Sequence, residues 1–217
     1  MPDWGEIFAL PEMQRLQPNP EFLAAVPEIK AGGCRLSLDA GCGAGRHLLP
    51  LAHEGFEVWG VDREAEVLKV LQGKLRALEI PARLVLADLG RLPFKTGAFD
   101  LAVSINVINH GYARTFRDFC RELNRVLAPG GHLFIYVSPW EFAELVRLPQ
   151  TRELEPGTLV NIATPDGEII HHFPTPEEIE GQFSGYDLLR AETILAPIPF
   201  MEGKEMPQYV FWARKGG

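Results

Sequence analysis

Between residues 35 and 137 short apolar runs alternate with longer stretches whose apolar positions recur every three or four residues. Arg35-Leu36-Ser37-Leu38-Asp39 reads as a first strand and Phe56 to Asp62 as a second. Ala82 to Ala87 and Phe99 to Ile105 follow as a third and a fourth, and His132 to Val137 is dense enough in apolar residues for a strand buried on both faces. Helices are expected between them: His47 to Glu54, Glu64 to Leu78 (Val67, Leu68, Leu71, Leu75 and Leu78 on one side) and Thr115 to Leu127. The third stops at Ala128-Pro129-Gly130-Gly131, where proline cannot continue a helix and glycine can end one. Strands alternating with helices imply right-handed crossovers and a parallel sheet covered on both sides.

The pattern loosens outside this block. Pro139 to Leu148 has the character of a helix, Pro174-Thr175-Pro176-Glu177-Glu178 that of a capped helix start running to Phe183, and Leu188 to Leu195 and Gln208 to Lys215 alternate as strands. Residues 1–30 look helical in pieces, broken by Pro11, Pro18, Pro20 and Pro27, and are expected to form an N-terminal cap or lid. The expected architecture is a single α/β domain: a Rossmann-like doubly wound sheet over residues 31–217, mostly parallel with an antiparallel C-terminal strand.

Composition narrows the function. The chain has 217 residues, 46% of them hydrophobic, and a net charge of −8. A surface of that sign repels a phosphate backbone, so nucleic acid and anionic membranes are not the expected partners. Cys34, Cys42 and Cys120 form no CxxC pair, which argues against a disulfide framework or a zinc site. The acidic Met1-Pro2-Asp3-Trp4-Gly5-Glu6 is wrong for a signal peptide, and no apolar stretch approaches the roughly 18 residues of a membrane span. A cytoplasmic protein acting on a small molecule is expected.

Chemistry concentrates at the predicted carboxyl ends of the strands, where such sheets bind ligands. The turn Asp39-Ala40-Gly41-Cys42-Gly43-Ala44-Gly45 lets backbone approach a ligand that a Cβ would block, and the next helix offers free N–H groups to a negative one. A dinucleotide site wants glycine where Arg46 stands, which weakens a nicotinamide reading. Asp62 can accept both hydroxyls of a ribose, or cap the following helix. Asp88 can meet an adenine amino group or serve as a turn aspartate, and Asn106 lies just beyond the fourth strand. Cys42 is a small loop residue sooner than a nucleophile.

Leu38-Asp39-Ala40-Gly41-Cys42-Gly43-Ala44-Gly45-Arg46, Gly60-Val61-Asp62, Ala87-Asp88-Leu89, Leu92-Pro93-Phe94, Phe99-Asp100-Leu101 and Leu127-Ala128-Pro129-Gly130-Gly131, in that order, resemble the motifs of class I S-adenosylmethionine-dependent methyltransferases. They are similar to the small-molecule branch labelled methyltransferase type 11 or 25. The resemblance implies S-adenosylmethionine as cofactor, with S-adenosylhomocysteine as product. It places the methionine part and ribose against Gly41, Cys42, Gly43 and Gly45, with Asp39 orienting the loop or reaching the methionine ammonium. Asp62 would bind the ribose diol, Arg63 would lie along the adenine face, and Asp88 and the Leu89 N–H would meet the adenine edge.

Ser104 to Gly111 follows the fourth strand and would face the methyl donor, but Val107 and Ile108 replace the Asn-Pro-Pro-Tyr type signature of adenine and protein-glutamine methylation. His110 is a candidate general base, or a packing residue beside the cofactor. Trp4, Phe8, Met13 and Trp140 are candidates for a water-excluding lid, and Trp4, His110, Trp140 and His172 for the acceptor pocket. The His171-His172 pair has no further ligands close in sequence, so a structural role and no metal are expected. In-line methyl transfer to a small acceptor is the leading expectation. The alternatives are a nicotinamide-dependent oxidoreductase, which lacks its Tyr-x-x-x-Lys pair, and a non-catalytic module that senses S-adenosylmethionine or its product.

Overall fold

A computed structural model describes residues 4–9, 16–198 and 203–217, less the side chains of residues 8 and 9. Its main sheet has seven strands: β1 (Leu36–Ala40), β2 (Glu57–Asp62), β3 (Ala82–Leu86), β4 (Phe99–Ile105), β5 (Leu127–Val137), β9 (Tyr186–Pro197) and β10 (Glu205–Lys215). Their order across the sheet is β3-β2-β1-β4-β5-β10-β9. The first five are parallel, and β10 runs antiparallel to both β5 and β9. This is the expected Rossmann-like sheet with its antiparallel C-terminal strand.

The central strands bury both faces, as their dense apolar runs require. In β5, Leu133, Ile135 and Val137 face one core while Phe134 and Tyr136 face the other; in β10, Tyr209 and Phe211 alternate in the same way with Val210 and Trp212. Three helices cover the second face: α2 (Pro20–Ala31) through Phe22, Val26 and Ile29, α3 (Leu48–His53) through Leu48 and Leu51, and α4 (Ala65–Ala77) through Leu68, Leu71 and Leu75. On the first face lie α5 (Ala113–Val126), with Phe116, Phe119 and Leu123 inward, and α7 (Pro176–Gln182), with Ile179 inward. Thr175 caps α7 in a reciprocal capping box with Glu178. The Leu92-Pro93-Phe94 loop is tied to α5 from both sides. Arg125 donates to the carbonyls of Leu92 and Phe94, and Glu122 accepts from the Leu92 N–H.

The N-terminal 30 residues divide between two tasks. α1 (Trp4–Ala9) sets Trp4 over the carboxyl ends of the strands, whereas α2 packs its apolar stripe into the core, with Phe22 against Phe134. Met13 and the Phe8 side chain lie outside the described residues.

A second, small sheet was not expected. β6 (Arg152–Glu155), β7 (Thr158–Val160) and β8 (His171–His172) form an antiparallel trio between α6 (Trp140–Leu145) and α7. The loop after β4 is bound to this sheet. Gly111 N–H donates to the Ile170 carbonyl, His172 N–H donates to the Asn109 carbonyl, and His110 bridges to His171.

Candidate active site

β1 is flanked by β2 on one side and β4 on the other, so the connections diverge at its carboxyl end and leave a crevice there. The glycine turn closes the bottom of that crevice. Gly41, Gly43 and Gly45 all have positive φ, and a Cβ on Gly41 would stand 2.4 Å from Val107 Cγ1. Only a residue without a side chain lets the turn after β1 meet the loop after β4 so closely. Asp62, at the end of β2, ties the turn down: its Oδ2 accepts from the Gly43 N–H at 2.9 Å and its Oδ1 from the Glu64 N–H at 3.1 Å.

Two adjoining cavities open above the turn. The larger, about 880 Å³, is walled on one side by Gly41, Cys42, Gly43 and Arg46 and on the other by Asn109, His110, Asp166 and His171. The smaller, about 80 Å³, is walled by Asp62, Arg63, Asp88, Leu89 and Phe119. Trp4, Gly41, Asn106, Val107 and His110 belong to both. Thus eleven of the expected residues converge on one place. Gly45 faces Leu71 in the core instead, and Asp39 sits beneath the turn at 2% exposure.

The electrostatics under the turn are unusual. Burial pushes the Asp39 carboxyl up to about 7, against the opposing pull of the Arg46 guanidinium, and its Oδ2 has no hydrogen-bond partner among the described residues. Burial, with Arg46 nearby, drives the His47 imidazole down to about 3, so it is neutral and accepts the Asn19 N–H through Nε2. Asn106 has a φ of +55°, uncommon for a residue with a side chain, and its buried Oδ1 also lacks a partner. Strain and unsatisfied polar atoms at the mouth of a sheet are the marks of a ligand site.

Two residues expected in the acceptor pocket are elsewhere. Trp140 packs beside the Arg147 guanidinium, outside both cavities, because α6 turns its indole away. His172 is buried with Nδ1 on Thr158 Oγ1 at 3.0 Å, since neighbouring residues of a strand point to opposite faces. It is His171 that faces the cavity. The fold brings His110 and Asp166, distant in sequence, beside His171. His110 Nε2 and His171 Nε2 approach Asp166 Oδ2 at 3.3 and 3.2 Å. Burial pushes the His110 imidazole below its ordinary value despite the hydrogen bond to Asp166. Burial works to raise the Asp166 carboxyl, but the two imidazoles outweigh it and hold Asp166 well below the usual carboxylate range. In sequence Asp166 is only the middle of the turn Pro165-Asp166-Gly167, with no cue that it faces a cavity.

Strand order, the glycine turn at the switch point and the acidic end of β2 together define a protein of the nucleoside-cofactor α/β class. Comparison with known proteins narrows this. Residues 38–135 match the family described as "Methyltransferase domain". Norajmaline N-methyltransferase of Rauvolfia serpentina is 36% identical over 101 residues, which is 45% of this chain and 34% of that protein. The 18S rRNA (guanine(1575)-N(7))-methyltransferase of Saccharomyces cerevisiae is 39% identical over 88 residues, 40% of this chain and 30% of that protein. The chain therefore spans about a third of the length of such curated relatives. A crystal structure titled as a SAM-dependent methyltransferase from Methanosarcina mazei superposes with a TM-score of 0.73 at 20% identity, covering 93% of this chain and 99% of the other. Residues 38–135 are thus similar to methyltransferase domains, and the fold is shared with a structure of the S-adenosylmethionine-dependent kind.

Proposed function

We propose that this chain transfers a methyl group from S-adenosylmethionine to a small-molecule acceptor held in the larger cavity, by direct in-line displacement. The observation that carries this reading is the meeting of the two cavities at Trp4, Asn106 and His110, directly over the glycine turn. The residues suit the cofactor. Asp62, Arg63, Asp88 and Leu89 wall a slot of adenosine chemistry, Gly41 leaves the close approach that a ribose and methionine need, and the partnerless Asp39 Oδ2 lies beneath a position for the cationic end. When bound, that group supplies an activated methyl on a sulfonium.

The chain's own contribution is placement. A cationic methyl donor needs little acid–base help if the acceptor is already a good nucleophile, so alignment in a dry cavity supplies most of the rate. Trp4, with its ring centroid 4.6 Å from that of His110, roofs the junction and excludes water. α1 is thus the lid, while α2 belongs to the scaffold. A concave site and a net charge of −8 favour a small molecule over the RNA substrate named for the yeast relative. No helix among the described residues is long and apolar enough to cross a membrane.

Calorimetry with S-adenosylhomocysteine and with NAD tests the cofactor half. Binding of the first alone is expected, and binding of NAD alone would return the chain to the oxidoreductases. Labelled-methyl transfer into a metabolite extract tests turnover, and cofactor binding with no transfer into any extract would make the chain a sensor. With an acceptor in hand, His110→Ala separates two roles: a turnover loss of roughly 100-fold would make His110 a general base, and a loss of only a few-fold with intact cofactor binding would reduce it to packing.

A further inference from the structure

We propose that His110, Asp166 and His171 form a binding site for one first-row divalent metal ion on the acceptor side of the larger cavity. Their three ligand atoms lie within 4.8 Å of one another, and Asp166 Oδ2 stands 3.3 and 3.2 Å from the two imidazole nitrogens. Ligands about 2.1 Å from a common ion and at right angles to each other are about 3 Å apart, so each imidazole stands to Asp166 Oδ2 at the spacing of neighbouring ligands of one ion. Two histidines and one carboxylate are a donor set used for mid-series divalent ions, with positions left open for other ligands.

The hydrogen bonding around the cluster favours the same reading. His171 Nδ1 lies 2.9 Å from the Ile169 carbonyl, which can only accept, so the proton is on Nδ1. Nε2 is then the ring nitrogen that faces Asp166 Oδ2, 3.2 Å away, and it is the atom that would ligate an ion shared with that carboxylate. A backbone carbonyl behind a ligating imidazole is the usual support for a metal-bound histidine. The turn bearing Asp166 closes tightly: a Cβ on Gly167 would stand 2.0 Å from the Ile162 carbonyl oxygen, and Ile162 N–H donates to the Gly167 carbonyl. The hydrogen bonds between the β4 loop and β8 hold the other two ligands in register. On the same wall, Asn109 Oδ1 and Thr164 Oγ1 are buried without partners, two polar atoms available to whatever fills the open positions.

The test uses the full chain, stripped with EDTA and titrated with Co²⁺, read by calorimetry and by the visible absorption of the bound ion. One ion per chain is expected. Asp166→Asn and His171→Ala should each weaken Co²⁺ by at least about 100-fold, and both should still bind S-adenosylhomocysteine, whose adenosine slot neither residue lines. Absence of Co²⁺ binding, or binding undiminished in either folded variant, overturns the inference. A proton shared by the three groups would give that result. If Co²⁺ binds with these losses while S-adenosylhomocysteine does not bind, the metal site stands and the methyl-transfer reading falls; the converse removes the metal site alone.

Discussion

The two walls of the larger cavity are built on different principles. The cofactor wall is local: a strand, a glycine turn and a helix follow one another within about twenty residues, and Asp62 on the adjacent strand fastens the turn through one hydrogen bond to the Gly43 N–H. The opposite wall is assembled from distant pieces. His110 comes from the β4 loop, His171 from a two-residue strand and Asp166 from a turn, joined by backbone bonds and by contacts of the three side chains with one another. A local wall can be reproduced wherever its short motif recurs, whereas an assembled wall can change residue by residue without disturbing the sheet. The first suits a cofactor common to many proteins; the second suits an acceptor particular to one.

Substitutions on the cofactor wall should therefore act first on cofactor affinity. Gly41→Ala is the severest, because it adds a Cβ 2.4 Å from Val107 at a φ of +80°. S-adenosylhomocysteine should bind roughly 100-fold more weakly, in line with about 1–3 kcal/mol for a strained residue plus the displaced Val107. An unchanged affinity by calorimetry would mean that the two loops do not need to touch. Asp62→Ala removes the anchor of Gly43 along with a candidate ribose ligand, and should cost about 1–3 kcal/mol of cofactor binding. If affinity holds, Asp62 is only a capping residue.

A third effect is one of pH. Asp39 ionises near 4 when exposed but at about 7 in the fold. Between those values the folded chain holds a proton that the unfolded chain has lost, so the ligand-free protein loses stability as pH rises from about 4 to 7, at up to about 1.4 kcal/mol per pH unit from this group. Asp39→Asn should flatten that slope in urea unfolding at pH 5 and 7.5, and parallel curves for the two proteins would refute it. Cofactor affinity should move the opposite way, rising through pH 7 as Asp39 becomes the anion that a cationic ligand favours.

The same contrast explains what could be read from the chain beforehand. β4 is visible at its full extent, 99–105, and α4 within a residue or so, because a long amphipathic period and a continuous apolar run leave little choice. The cofactor wall was equally legible, since its residues occupy consecutive strand ends. By contrast, β6, β7 and β8 have four, three and two residues, too few for alternation to register against their surroundings. Choosing His172 over His171 as the pocket residue turned on the face of such a strand, which a two-residue element cannot declare. Asp166 was invisible because its importance is entirely a matter of what lies across the cavity. The start of α5 was set too late, at Thr115, because its N-cap Tyr112 makes no side-chain capping bond and so leaves no signature.

The contact between Gly41 and Val107 has one more consequence. Val107 sits three residues before His110 on the loop that carries the acceptor wall, and it rests directly on the cofactor turn. Any shift of that loop when its own cavity fills must alter the affinity of the turn for its ligand. By thermodynamic linkage the cofactor must then alter the affinity for the acceptor by the same factor. A shift transmitted through this one valine would make the two occupancies one cooperative equilibrium.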